Sequence, residues 1–121
     1  MATNYVSDGK VVQHTASGAD ISSGDVVVLG QIIGVALVDI ADGDTGSVGI
    51  EGVFTVPKVS GAVIAQGESM VYDVSAGAFD DNAATPATGD VSGAAAVAAE
   101  AAGDGVTSFD VKFTGVPGTV A

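Results

Sequence analysis

The sequence predicts an all-β fold, a small barrel or sandwich of short antiparallel strands. Three observations support this prediction: β-branched residues dominate short segments, several segments alternate apolar and polar side chains, and Gly followed by an acid recurs between them. Such pairs are typical of turns, because glycine adopts backbone angles closed to other residues and a carboxylate accepts hydrogen bonds from nearby amides. The pairs are Gly24-Asp25, Gly43-Asp44, Gly67-Glu68, Gly89-Asp90 and Gly103-Asp104.

The length of 121 residues fits one domain. Residues 1–9 are polar and weakly patterned, so we expect a flexible N-terminal arm that orders on a partner. Residues 10–121 are expected to form a single β-rich domain, with a mobile surface loop near 80–92. The N-terminus lacks the charged and apolar regions of a secretory signal, so we expect a soluble protein made in a cytoplasm.

Four segments carry the strand prediction. "VVVL" at 26–29 and "SMVYD" at 69–73 each follow a Gly-acid turn, and the second continues into a hairpin around residues 75–77. From Val48 to Val56 the even-numbered residues share one face at period two, which predicts one continuous strand. "FDVKF" at 109–113 alternates in the same way.

The alanine-rich stretch "SGAAAVAAEAAG" at 92–103 allows two interpretations. Its helix propensity is the best in the chain, which favours a short helix near 93–102. However, residues 33–44 and 92–105 share a Gly-x-Ala-x-Val pattern followed by Gly-Asp, and each precedes an alternating segment that ends in Phe. An internal repeat would make the alanine-rich copy a strand like its partner. We favour a strand over about 93–99.

The charge balance excludes several partners. Three lysines stand against 15 acidic residues, for a net charge of −12, and nucleic-acid binding requires basic residues that displace counterions. Anionic membranes are excluded for the same reason. Only 15% of the residues are charged and the mean hydropathy is +0.50, so we expect a weakly charged surface that contacts another protein.

The residues that catalysis would need are scarce. His14 is the single histidine and there is no cysteine. A catalytic base needs partner residues within reach, so we expect His14 to be an ordinary strand side chain. The acids Asp39, Asp42 and Asp44 do not follow the spacing of an EF-hand and are predicted to stabilise turns. No phosphate-binding loop is present. We expect that the protein is not an enzyme and that it binds no cofactor, no metal and no small-molecule substrate.

The order of motifs resembles that of the bacteriophage capsid cement, or head decoration, proteins, over nearly the whole chain. The matching pieces are Asn4-Tyr5-Val6 with Gly9, Gly24-Asp25, Gly34-Val35-Ala36, Gly52-Val53-Phe54, Pro57-Lys58, Gly67-Glu68, Tyr72-Asp73 and the terminal Gly-Asp strand. The resemblance implies a homotrimer that binds the outer surface of an assembled capsid, contacts the major capsid protein and stabilises the shell by bridging its subunits. Such a protein is soluble in the host cytoplasm before it joins the virion.

Some members of that family are labelled as RecA-like or RadA-like recombinases. This chain contradicts that label, because it has no phosphate-binding loop, no basic surface for DNA and too little length for the ATPase core.

The resemblance also implies residue roles. Thr3, Asn4, Tyr5, Val6 and Lys58 are the candidate capsid contacts, although a solvated lysine at a strand end is the favoured interpretation of Lys58. Phe54 is expected to anchor the core where Gly52 lets another segment approach, and Pro57 to end its strand. The scaffold residues are Gly24, Asp25, Gly34, Gly52, Phe54, Pro57, Gly67, Tyr72 and Asp73.

The main alternative is an acidic β-barrel that binds a sugar or a peptide and is unrelated to phage. Such a module requires a cleft lined with aromatic side chains, and the chain has two Tyr, four Phe and no Trp.

Overall fold

A computed structural model describes residues 7–121 of the chain. This range contains ten strands and no helix, which confirms the all-β prediction. The strands are β1 (Val11–Thr15), β2 (Val26–Leu29), β3 (Ile32–Ala36), β4 (Thr45–Gly49), β5 (Glu51–Pro57), β6 (Ser69–Asp73), β7 (Ala78–Asp80), β8 (Val91–Ala98), β9 (Ser108–Thr114) and β10 (Thr119–Val120).

The strands form two antiparallel sheets. The first sheet has the order β1-β4-β3-β2, and the second has the order β5-β9-β8-β6-β7, with β10 paired to β8. β7 returns to the beginning of its own sheet, because Lys58 and Phe79 form a parallel bridge and the Val59 amide donates to the Phe79 carbonyl at 2.9 Å. The second sheet therefore closes into a small barrel, and the closure lies directly after Pro57, where β5 ends.

The two sheets are copies of one four-stranded unit. β5, β6, β8 and β9 follow the same order in space as β1, β2, β3 and β4, and β7 and β10 are additions to the second copy. The turn before the second strand is bonded alike in both. The Gly24 amide donates to the Ala36 carbonyl at 2.8 Å, and the Gly67 amide donates to the Ala98 carbonyl at 2.8 Å.

The connection between the third and fourth strands repeats as well. Ile21 and Ile40 form an antiparallel bridge in the first copy, and Ile64 and Ala102 form its counterpart in the second. The internal repeat indicated by the sequence is therefore a structural repeat, but its register differs. The structure matches Ala36 with Ala98 and Gly43 with Gly105, whereas the sequence pattern matches them with Ala95 and Gly103. The alanine-rich stretch is strand β8, as the repeat predicts, and the alternative helix does not form.

Two apolar clusters hold the sheets together. The smaller contains Val27, Ala36, Val48 and residues from the neighbouring loops. The larger fills the barrel with aromatic and small side chains and also takes Ile33 and Val35 from β3. β3 thus contributes to both clusters, which joins the two copies.

One predicted strand is wrong. Residues 48–56 are divided between two sheets, since β4 ends at Gly49 and β5 begins at Glu51. Val48 lies in the smaller cluster and Val56 in the larger one. Gly52 has φ of +129°, a backbone angle that side chains disfavour, and only the ring of Phe54 approaches it. Its backbone angle therefore requires glycine at this position, whereas we expected a close approach of another segment.

A loop lies where the sequence predicts one near 80–92, because Asp80 ends β7 and β8 begins at Val91, and its mobility stays a prediction. Its far end is fixed by Asp90, which is 3% exposed and accepts hydrogen bonds from the Val74 and Ala87 amides.

Candidate interaction surfaces

The side chain of Lys58 lies inside the protein, with 3% of its surface exposed. Its ammonium nitrogen donates to the carbonyl oxygens of Val59 at 2.7 Å, Ser60 at 3.5 Å and Ala62. A solvated lysine is therefore the wrong interpretation, and the buried ammonium group does not face a partner in the isolated chain. These hydrogen bonds hold the backbone of residues 59–62 around the Lys58 ammonium group.

The other two lysines lie together. Lys10 and Lys112 line an open cleft of about 380 Å³ with Glu51, Gly52 and two residues of β9. Both side chains are exposed, and neither makes a hydrogen bond or ion pair with the part of the chain that the structure describes. We call this site the cationic cleft. In a chain of net charge −12, it concentrates the exposed positive charge at one place.

A second cleft has the opposite charge. Asp20 and Asp39 line an open cleft of about 230 Å³ together with Ile21, Ile40 and two small residues. Asp20 accepts a hydrogen bond from the Asp42 amide at 2.8 Å, and Asp39 accepts one from the Ser23 amide at 2.8 Å. We call this site the acidic cleft. These carboxylates stabilise loops, as the sequence predicts for Asp39. The Asp42 carboxylate does so as well, because it accepts a hydrogen bond from the Gly18 amide at 2.9 Å.

At two matched loop positions, the first copy of the repeat has an acidic residue and the second copy has a valine. Val63 precedes the bridge residue Ile64 as Asp20 precedes Ile21, and Val106 occupies the turn position that Asp44 has in the first copy. Val63 is 63% exposed and Val106 is 40% exposed. The Gly105 amide donates to the Ser60 carbonyl at 2.7 Å and joins the two loops. We call residues 60–63 and 103–106 the apolar loop end after these two valines, and it also contains the exposed Asp104.

Several scaffold residues meet at a third cleft. Gly24, Asp25, Pro57 and Tyr72 line about 290 Å³ where β2, β5 and β6 approach one another. Burial raises the pKa of the Tyr72 phenol, and the negative charges of Asp25 and Asp73 raise it further. The structure thus brings together residues that are up to 48 positions apart in the sequence, by subtraction of 24 from 72.

The remaining scaffold residues have separate positions. Phe54 is half-buried and meets Phe113 edge-on, with ring centroids 5.8 Å apart. Asp73 accepts hydrogen bonds from the Ser75 hydroxyl and the Ser75 and Ala76 amides in the β6–β7 turn, which lowers its pKa. Gly67 begins the turn before β6, and Gly34 lies in β3 against β4.

The other candidate contacts are not described. Thr3, Asn4, Tyr5 and Val6 lie outside residues 7–121, so their role stays a prediction. The sequence alone did not single out Lys10, Lys112, Val63 or Val106. The low number of lysines was the one available signal, but only the fold shows which of them are exposed.

Residues 7–121 contain neither a metal-binding cluster nor a membrane-spanning helix. No group of three or more His, Cys, Asp or Glu side chains is arranged to hold a metal ion. No helix in this range is long and apolar enough to cross a membrane.

His14 is a partly buried side chain of β1, paired with Gly46 of β4.

Comparisons with known proteins agree with the motif order. A search of curated proteins gave no match. A family model described as phage cement protein matches residues 6–113, which covers both copies of the repeated unit. The chain belongs to the phage cement protein family.

Proposed function

We propose that this phage capsid protein binds the outer surface of an assembled capsid, as a homotrimer, and bridges neighbouring subunits of the major capsid protein. The family match carries the proposal, because it covers most of the chain. No chemical step is required. Several modest contacts joined in one rigid oligomer gain strongly from effective concentration, so that weak single contacts hold a shell together.

The apolar loop end is the surface that we assign to the capsid. In the first copy of the repeat, the positions equivalent to Val63 and Val106 are Asp20 and Asp44, so the fold does not need an apolar side chain there. We assign both valines to a contact that excludes water, because the hydrogen bond from the Gly105 amide to the Ser60 carbonyl joins the two loops that carry them.

The N-terminal arm is the second proposed contact. Thr3, Asn4, Tyr5 and Val6 belong to the motif order that the chain shares with the cement proteins. An arm and a loop end that reach different capsid subunits would make one protomer a bridge. Lys58 is left out of this proposed surface, because its ammonium group is occupied by backbone carbonyls.

Decoration of phage heads tests the proposal. Purified protein is mixed with assembled heads that lack it, and bound protein is measured after sedimentation, together with the temperature at which the heads rupture. We expect saturable binding in a fixed ratio to the capsid subunits and more heat-resistant heads. Absence of binding at saturating protein would contradict the proposal and favour the alternative of a sugar-binding or peptide-binding module.

The variant Val63→Asp/Val106→Asp tests the assigned surface. We expect it to weaken capsid binding by at least about tenfold, because two apolar contacts are replaced by charges that must be desolvated. The control Val38→Asp/Val120→Asp adds the same two charges at positions that are 46% and 41% exposed. Equal binding by both variants would contradict the assignment of the loop end.

A further inference from the structure

We propose that the cationic cleft of one copy binds the acidic cleft of a second copy, so that protomers join head to tail. The inference rests on the proposed function and deepens it by naming the contact within the oligomer. Lys10 and Lys112 of one protomer would meet Asp20 and Asp39 of the next. Because the two clefts are different surfaces, the contact is heterologous and closes into a ring when the rotation permits.

Overall charge favours this use of the lysines. Each chain carries a net charge of −12, so copies repel one another wherever acidic surfaces meet. The cationic cleft holds the two lysines whose ammonium groups are not used inside the described chain. A contact between copies is least costly where these lysines face carboxylates of the neighbour.

The cationic cleft is held by regular structure. The Ile50 amide donates to the Lys10 carbonyl at 2.9 Å, which ties the residue before β1 to the residue between β4 and β5. Lys112 lies in β9 between Val53 and Val97 on the flanking strands. Both lysines therefore start from fixed backbone positions, and ordering them in a contact costs only side-chain entropy.

The acidic cleft has suitable chemistry for a lysine. Asp20 and Asp39 each use one oxygen to accept a backbone hydrogen bond, and the second oxygen of each accepts none from the part of the chain described. Ile21 and Ile40 line the same cleft, and the methylene stem of a lysine packs well against such side chains while its ammonium group reaches a carboxylate.

The repeat indicates that the bridge between the loops does not depend on these acids, although each of them accepts a backbone hydrogen bond in the first copy. Counted from the matched bridges, Asp20 corresponds to Val63 and Asp39 to Ala101. The second copy forms the same bridge between its loops without either carboxylate. The acid pair is thus a property of one copy of the unit, as expected for a surface that meets a partner.

Charge reversal tests the contact by sedimentation velocity of the full chain. The variant Lys10→Glu/Lys112→Glu is expected to weaken self-association by at least about tenfold. Asp20→Lys/Asp39→Lys is expected to do the same, although it lowers the net negative charge and should favour association if general repulsion alone mattered. Combining all four substitutions in one chain restores opposite charges and the original net charge, and should restore the oligomer.

Three outcomes would overturn the inference: a wild-type chain that is monomeric at all concentrations, reversed variants that sediment as wild type, or a folded four-substitution chain that stays dissociated. Circular dichroism checks folding in each case. If the aspartate variant fails to fold, Lys112→Glu alone still tests the contact, since the Lys112 side chain makes no bond within the described chain. A wild-type oligomer that does not bind heads would contradict the proposed function and leave this contact standing.

Discussion

The ammonium group of Lys58 donates a hydrogen bond to the carbonyl oxygen of Ala62, four residues further along the chain. With the bonds to Val59 and Ser60, this contact turns the segment after β5 into a closed loop around a buried cation. The same segment carries the bridge to Phe79 that closes the barrel. Lys58 therefore supports the fold at the point where the second sheet returns to its own beginning.

Lys58→Met should lower the free energy of unfolding by about 2–3 kcal/mol, because loop carbonyls lose their buried donor. Urea unfolding followed by circular dichroism measures the change. Lys10→Met is the matched control, since Lys10 is exposed, and we expect it to change stability by less than about 0.5 kcal/mol. Both variants are measured in about 0.5 M salt, where contacts between copies are screened. Equal stability of both variants would contradict the structural role of Lys58.

Gly34 allows β3 and β4 to approach closely. A Cβ atom at this position would lie 2.5 Å from the Gly49 carbonyl oxygen and 2.8 Å from a methyl group of Val48. Gly34→Ala should therefore cost more than about 1 kcal/mol, because backbone has to shift. At Gly61 no atom lies within 4 Å, so Gly61→Ala should be neutral or stabilise by up to about 1 kcal/mol. Thermal unfolding of both variants checks this, and similar melting temperatures would contradict it.

Phe113 lies at the centre of the barrel. It is 0% exposed and meets Phe54 and Phe79 with ring centroids 5.8 and 6.0 Å apart. Phe113→Ala should destabilise the protein by about 3–5 kcal/mol through the lost contacts and the cavity left behind. Val53→Ala on the neighbouring strand removes apolar atoms from a side chain that is 57% exposed and should change stability by less than about 0.5 kcal/mol. Chemical denaturation of both variants measures these changes, and a similar loss of stability in the two would contradict the central position of Phe113.

Sequence alone predicted the local features of the fold well. "SMVYD" is β6 residue for residue, and the repeat identified the alanine-rich stretch as β8 despite its helix propensity. The assignment of strands to the two sheets depends on tertiary structure. The even-numbered residues from Val48 to Val56 keep period two, but the chain passes from one sheet to the other at Ile50, and a period-two pattern does not show which sheet a residue joins.

The candidate surfaces were harder to predict for the same reason. Lys58 follows a strand and a proline, a position at which a lysine is ordinarily solvated, and only the folded loop supplies the carbonyls that bury it. Lys10 and Lys112 are distant in sequence and meet because β5 pairs with β9 beside the residue before β1. Neither the burial of Lys58 nor the proximity of Lys10 and Lys112 could be predicted from the local sequence.

Deletion of residues 2–8 tests the N-terminal arm. If Thr3 to Val6 contact the capsid, the shortened chain should bind heads at least about tenfold more weakly, because one of several linked contacts is lost. Its melting temperature in the absence of heads serves as the control and should stay close to that of the full chain, since β1 begins at Val11. Unchanged binding to heads would rule the arm out as a contact.

The phenol of Tyr72 should make stability fall at alkaline pH. Tyr72 is 6% exposed, and its burial, with the charges of Asp25 and Asp73, raises its pKa above the ordinary value of 10.0. The neutral phenol is favoured in the folded protein, so this contribution to stability is complete below pH 10 and is lost as the pH rises through the folded pKa. Denaturation at a series of pH values should show a steeper alkaline loss for the wild type than for Tyr72→Phe.

Absorbance titration separates this effect from other alkaline transitions. In a Tyr5→Phe background, Tyr72 is the single tyrosine, and its ionisation should occur above pH 10. Asp25→Asn removes a charge that raises the pKa, so the same titration should shift to lower pH while burial keeps it above the ordinary value. A titration at the ordinary value in the folded protein, or one that Asp25→Asn does not move, would contradict the position of the phenol beside Asp25 in the cleft between β2 and β6.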